Sequence, residues 1–477
     1  MKDFKLYING KWETASGGRD SVVNPANGEQ VGSVGVATAE DVNLALTSAK
    51  TAQVSWRRLP NKQRADLIRA FSDKIKEQRE ELAQTIVAEQ GKLLKVARFE
   101  VDVTSSFLEY AAGWARHIEG DIVPSDNPNE QLLINKVPKG VVVAITAWNF
   151  PLALAGRKIG PALVAGNAMV MKPTPAAPLS TMMLCDLAKA AGIPDGVLNM
   201  VTGGVDAGVA LVESPLTNMV TMTGSTPTGQ AIARSAAKNL THVQLELGGK
   251  APCIVFADAD IDKAVAGALH SRFDNYGQVC TCNERMYVEE GIYDEFMKRF
   301  HTEVAKLTVG DPNEEDTDLG PLTEASVVTN LEKLIAESVA AGARITAGGG
   351  RPSGAAFEKG HFFEATILED VTQEMSIVHE ELFGPVLPVI RFSGFEQAMT
   401  FANDCEFGLA AMVFTTDISK IMRLTDELEF GEIYINRGHG ELHQGFHNGL
   451  KLSGTGGEDG KYGIEQYLEK KTTYLRY

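Results

Sequence analysis

The chain has 477 residues, enough at roughly 100–200 residues per domain for two or three domains. Hydrophobic residues make up 44%, so a large core can be buried, and a net charge of −17 without any Lys/Arg-rich run excludes nucleic acid and anionic membrane surfaces as partners. Five cysteines (Cys185, Cys253, Cys280, Cys282, Cys405), an opening MKDFKLYINGKW without a signal-type apolar stretch, and no run of about 18 apolar residues point to a soluble, reduced, cytoplasmic protein.

The first 30 residues read as short strands and turns, with Asn9-Gly10 and Asn24-Pro25 as turn signals. Thr38 is a helix N-cap, followed by Val42, Ala45, Leu46 and Ala49 on one face. A second helix after Asn61 gathers Leu67, Ile68, Phe71 and Ile75. Beyond residue 140, short apolar runs at 141–147, 168–171, 197–201, 219–222 and 243–247 alternate with amphipathic stretches such as 179–191 and 226–239. This alternation predicts an α/β fold with a parallel sheet and crossover helices, whose ligands bind beyond the carboxyl ends of the strands. A second alternating block runs from near Cys253 to residue 436. The closing stretch, 467–477, reads as a strand with no evident local partner, suited to pairing with another subunit.

Four of the first five runs end in residues able to hold a ligand: Trp148-Asn149-Phe150-Pro151, Lys172-Pro173, Gly224-Ser225-Thr226 and Glu246-Leu247-Gly248-Gly249-Lys250. Gly224-Ser225-x-x-x-Gly229 fits either a phosphate on helix amides or a plain tight turn. Cys280 closes the segment Asn275-Tyr276-Gly277-Gln278-Val279-Cys280. A free cysteine is usually a buried core residue; the polar and small neighbours Gln278, Thr281 and Asn283 weaken that reading here and leave a reactive thiolate open beside it. Cys280-x-Cys282 lacks zinc spacing. His439, His443 and His447 fall four apart, as on a metal-binding helix, but the interleaved Gly438, Gly440, Gly445 and Gly449 oppose a helix, so no metal is expected.

YINGKW, NPANGE, WNFP, GNAMVMKP, TGST, ELGGKAP, GQVCTC, EELFGPV and KYGIEQYLEKK together resemble the aldehyde dehydrogenase superfamily nearly end to end. The resemblance implies a Rossmann-type dinucleotide-binding domain (1–120 and 139–252) and an α/β catalytic domain (253–436). It further implies a substrate-mouth segment (437–456) returning to the cofactor domain, and a β oligomerisation arm (121–138 and 457–477) serving a homodimer or homotetramer. Cys280 would attack the aldehyde carbon, with Asn149 and the Cys280 backbone amide holding the oxyanion. Hydride would pass to NAD or NADP, and water activated by Glu246 would release the acid from the thioester. Lys172 would contact the adenosine ribose. Trp148, Gly224 and Ser225 would line the pyrophosphate groove. Glu381 would bind the nicotinamide ribose, with Phe383 packed close by.

Pro175 stands where many NAD-preferring relatives carry a glutamate that would repel a 2′-phosphate, so NADP is expected to be accepted. Arg157, Glu441 and His447 match substrate contacts of the lactaldehyde/glycolaldehyde dehydrogenase branch, which implies a small 2-hydroxyaldehyde as substrate. Arg157 and Glu441 also fit a plain ion pair. Succinate semialdehyde dehydrogenase is the nearest alternative, and Glu441 opposes it by repelling the substrate carboxylate. A non-catalytic cofactor-binding structural protein would need neither Cys280, Glu246 nor Asn149, and CoA-acylating relatives usually lack the Glu246 base. Cys282, two residues from Cys280, could form a reversible oxidative link with it.

Overall fold

The computed structural model describes all of residues 1–477. Asn9 and Gly10, at φ 51° and 74°, close a two-residue hairpin between strands Leu6–Ile8 and Lys11–Glu13, the turn that Asn-Gly favours. Thr38 caps helix Ala39–Trp56 with a capping box: its hydroxyl accepts the Asp41 N–H, and the Asp41 carboxylate accepts the Thr38 N–H at 2.9 Å. Val42, Ala45, Leu46 and Ala49 are buried as their spacing requires. In helix Asn61–Glu77, Ile68, Phe71 and Ile75 are buried, and Leu67 is only partly so. Two further helices, Arg79–Gln90 and Leu94–Gly113, continue this layer.

The central five strands of an eight-stranded sheet are all parallel, in spatial order His242–Glu246, Met219–Thr223, Val141–Ile145, Ala168–Lys172, Leu198–Met200. The chain starts in the middle at Val141, builds outward to Leu198, then returns to the other side of Val141 with Met219. The order therefore reverses between Val141–Ile145 and Met219–Thr223, which opens a crevice beyond their carboxyl ends. Trp148 and Asn149 follow one of these strands, and Gly224 and Ser225 follow the other.

A seven-stranded sheet holds the second block: Arg344–Ala347, Thr366–Glu369, Val386–Phe392, Asn283–Glu289, Ala251–Val255, Ala410–Phe414, Glu432–Ile435. Every pairing is parallel except that of Arg344–Ala347 with Thr366–Glu369. After this sheet the chain returns to the first one, where Gly454–Thr455 pairs antiparallel with Leu245 and Glu246.

The C-terminal strand, Leu468–Arg476, has no partner nearby in sequence and pairs antiparallel with Glu130–Pro138, more than 300 residues away, from Leu468 opposite Pro138 to Arg476 opposite Glu130. Asp121–Pro124 completes this three-stranded sheet. No helix of the protein is long and apolar enough to cross a membrane.

Candidate active site

Between helix Ile261–Phe273 and strand Asn283–Glu289 the chain passes through Asn275, Tyr276 and Gly277, all at positive φ (42°, 61° and 77°). Such a run persists only where the surroundings hold it. Arg272 donates to the carbonyls of Gly277 (2.9 Å) and Gly384 (2.6 Å). The Tyr276 hydroxyl donates to Gly91 O (2.9 Å), and the Gln278 side-chain oxygen accepts the Thr323 N–H (3.0 Å). A Cβ on Gly277 would lie 2.1 Å from Arg272 and 2.4 Å from Gly384 O, so only glycine fits. This loop presents Cys280, partly exposed, while Cys282 is sealed inside with its thiol donating toward Gly277 O. Burial pushes the Cys282 thiol up to about 12, which makes it a poor thiolate.

Asn149 reaches the same loop from the first sheet. Its Nδ2 donates to Gln278 O at 3.1 Å, which uses one of two amide hydrogens. The Cys280 N–H donates to no backbone carbonyl. Asn149 is itself pinned: its carbonyl accepts from Lys92 (2.7 Å) and Asn275 (3.1 Å). Lys92 is buried against Glu100 (2.5 Å), whose other oxygen accepts the Leu152 and Ala153 N–H groups at the start of helix Pro151–Val164. A carboxylate there completes the open helix end.

The glycine pair after Glu246 allows close approach. A Cβ on Gly249 would lie 2.7 Å from Cys280 O, and one on Gly248 2.9 Å from the Glu381 carboxylate. Neither oxygen of Glu246 has a hydrogen-bond partner. Burial pushes its carboxyl up to about 8, with His447 pulling the other way. His447 Nε2 lies 3.5 Å from Glu246, and its Nδ1 lies 2.9 Å from Glu432. Burial and Arg157 work against a charged His447, but Glu432 and Cys280 hold it well above its ordinary value. Burial raises the Cys280 thiol, and His447 pulls it back down.

At the mouth, Arg157 is buried among three carboxylates: Glu441 (3.3 Å), Glu458 (3.4 Å) and Asp459, which its Nε and Nη2 grip in a two-pronged pair. Lys158 takes the other Glu458 oxygen at 2.5 Å. Arg157 and His447 hold the Glu441 carboxyl down to about 2 against the effect of burial. Arg157, Glu441 and His447 thus do come together, and Glu432, Glu458 and Asp459 join them. Sequence reasoning missed these last three. Glu458-Asp459 follows Gly456-Gly457, and a charged pair in a glycine turn was the available signal. Glu432 carried none.

The crevice of the first sheet fits a dinucleotide. Ser225 opens helix Thr226–Ala236 without capping its amides. A Cβ on Gly229 would lie 2.4 Å from Leu247, so its bare backbone lets the helix pack on the sheet. Lys172 sits at the end of its strand, where burial alone pushes its ammonium down to about 8, and the Thr146 hydroxyl nearby has no partner. Across the crevice, Trp148 and Phe383 meet edge to face at 5.3 Å. Glu381 accepts the Gly249 N–H (2.9 Å), and Glu284 fixes the Leu382 and Phe383 amides.

The three histidines do not share a face. His439 bonds to Asp274 and Ser271, His443 to Ser106 (2.8 Å), and His447 to Glu432.

This chain belongs to the aldehyde dehydrogenase family, whose pattern matches residues 12–473, and it is an NAD(P)-dependent aldehyde dehydrogenase. It is similar to a 3,6-anhydro-alpha-L-galactose dehydrogenase of Vibrio sp., 56% identical over 479 residues and 100% of both chains. It is also similar to the lactaldehyde dehydrogenase of Escherichia coli, 42% identical over 99% of this chain and 98% of that one. A solved 3,6-anhydro-L-galactose dehydrogenase in complex with NADP matches with a TM-score of 0.98 at 58% identity, covering 100% of both chains.

Proposed function

We propose that the protein oxidises a hydroxylated, sugar-type aldehyde, with a hydroxyl on the carbon next to the carbonyl, to its carboxylic acid through a thioester on Cys280. The observation that carries this is the mouth beside Cys280, where Arg157 is already matched by Glu441, Glu458 and Asp459. Such a mouth offers acceptors to hydroxyl groups and no free cation to a substrate carboxylate. The similarity to dehydrogenases named for lactaldehyde and for 3,6-anhydro-L-galactose supports it, since both aldehydes carry that neighbouring hydroxyl. The ratio kcat/KM for 3,6-anhydro-L-galactose and lactaldehyde should exceed that for succinate semialdehyde by at least about tenfold. A tenfold preference for the semialdehyde contradicts the reading.

In this mechanism the His447 imidazolium stabilises the Cys280 thiolate, which adds to the carbonyl carbon. The second Asn149 amide hydrogen and the Cys280 N–H receive the oxyanion. The bound nicotinamide supplies the hydride acceptor. Glu246 then takes a proton from the water that cleaves the thioester. Glu432 orients His447. Alkylation of Cys280 by iodoacetamide should therefore shift to higher pH, by roughly one unit or more, in His447→Gln. An unchanged pH profile would remove His447 from this role.

In this reading Lys172 would hold the adenosine ribose, Trp148, Gly224 and Ser225 the pyrophosphate, and Glu381 with Phe383 the nicotinamide ribose. No carboxylate follows Lys172 at Pro175, and the similar solved structure contains NADP. NADP should serve this protein well, and Pro175→Glu should lower kcat/KM for NADP by about tenfold or more while sparing NAD. Equal losses with both cofactors would contradict this. Residues 1–120 with 139–252 form the cofactor domain in this reading, 253–436 the catalytic domain and 437–456 the mouth. Gly457–Asp459 serves the mouth as well. The sheet of 121–138 and the C-terminal strand is the arm of a homodimer or homotetramer. Free cysteines throughout suit a reducing cytoplasm.

A further inference from the structure

We propose that His270, Asp274 and His439 form a binding site for a divalent metal ion of the zinc class, apart from the aldehyde site. Their donor atoms all lie within 4.8 Å of one another. His439 Nε2 and Asp274 Oδ2 are already 3.2 Å apart, close to the roughly 3.4 Å edge of a tetrahedron built on about 2.05 Å bonds. His270 lies in the last turn of helix Ile261–Phe273, and Asp274 is the residue that ends it. His270 is exposed, Asp274 half-buried and His439 buried. The two imidazoles lie nearly parallel, 4° apart with centroids at 5.3 Å.

The surroundings suit a metal. Ser271 Oγ, 3.1 Å from His439 Nδ1, accepts the Asn283 N–H at 3.0 Å and lies 3.0 Å from the Met412 sulfur. With its hydrogen on that sulfur, this hydroxyl accepts Nδ1–H and turns the Nε2 lone pair toward Asp274, where a cation between the two is stabilising. A hydrogen bond at the far ring nitrogen is the usual support of a metal-bound histidine. The buried ammonium acting on Asp274, Lys92, is already paired with Glu100. Two imidazoles and one carboxylate select zinc, nickel or copper over calcium or magnesium.

Asp274 begins the loop that ends in Cys280, and His439 stands two residues before Glu441. A metal here clips the nucleophile loop to the substrate mouth, and turnover falls while it is bound. The test uses the full-length Cys280→Ser protein, which removes the competing thiol. Calorimetric titration with zinc should show one ion per chain, and cobalt(II) should give a visible absorption band. His270→Ala in that background should weaken binding by at least about tenfold. With Cys280 intact, zinc should slow turnover reversibly on adding EDTA, and His270→Ala should resist it. Absence of saturable binding, or binding that persists unchanged in both His270→Ala and His439→Asn, overturns the site. Inhibition undiminished in His270→Ala overturns the coupling to turnover.

Discussion

Replacing Cys280 by alanine should lower kcat by at least about 10⁴-fold while leaving NADP binding unchanged. The prediction rests on the absence of a substitute. Cys282 and Cys253 are buried, each with a thiol pushed up to about 12, and Cys185 is buried as well. The loop is held by Arg272, Tyr276 and Gln278 rather than by the Cys280 side chain, so the fold should survive the substitution. Cofactor binding, followed by fluorescence, separates a lost nucleophile from a lost site. An alanine variant that keeps even a tenth of the activity would mean that a different group attacks the aldehyde.

Glu246→Gln should lower steady-state turnover by about 10²–10⁴-fold, and should do so after the hydride step. A single burst of reduced cofactor, one per chain, should precede the stall, because glutamine takes no proton from water. The pH dependence follows from the same residue. Its raised carboxyl is neutral below about 8, where it accepts no proton, and becomes a base as pH rises through that value. Thioester hydrolysis in the parent should therefore accelerate with pH through about 8, and this limb should vanish in Glu246→Gln. A variant that loses the burst as well as turnover would move Glu246 to an earlier step.

The first sheet was the most legible part of the chain, because parallel strands buried on both faces give continuous apolar runs such as 141–147 and 219–222, and crossover helices punctuate them. The rule that ligands sit beyond strand carboxyl ends found Asn149, Lys172, Ser225 and Glu246. It does not find the residues of the second sheet. Cys280, Glu381 and Glu432 enter at or before the amino ends of their strands, facing the carboxyl ends of the first sheet. Cys280 was raised by its polar neighbours and given its role by motif resemblance, Glu381 came from resemblance alone, and Glu432 was not found at all. Pairings that span hundreds of residues leave no local period or spacing to read: that of Arg157 with Asp459 was missed, and residues 121–138 were joined to the C-terminal strand only through the family resemblance. Helices Arg79–Gln90 and Leu94–Gly113 escaped notice too, although the second carries Glu100, on which the placement of Asn149 depends.

The most direct measurement is the mass of the Glu246→Gln protein, quenched after one turnover with aldehyde and NADP and then digested. The peptide carrying Cys280 should gain the mass of the acyl group and lose it on treatment with hydroxylamine. Reduced cofactor formed with Cys280 unmodified, or an acyl group found on any other residue, would contradict the thioester on which the mechanism stands.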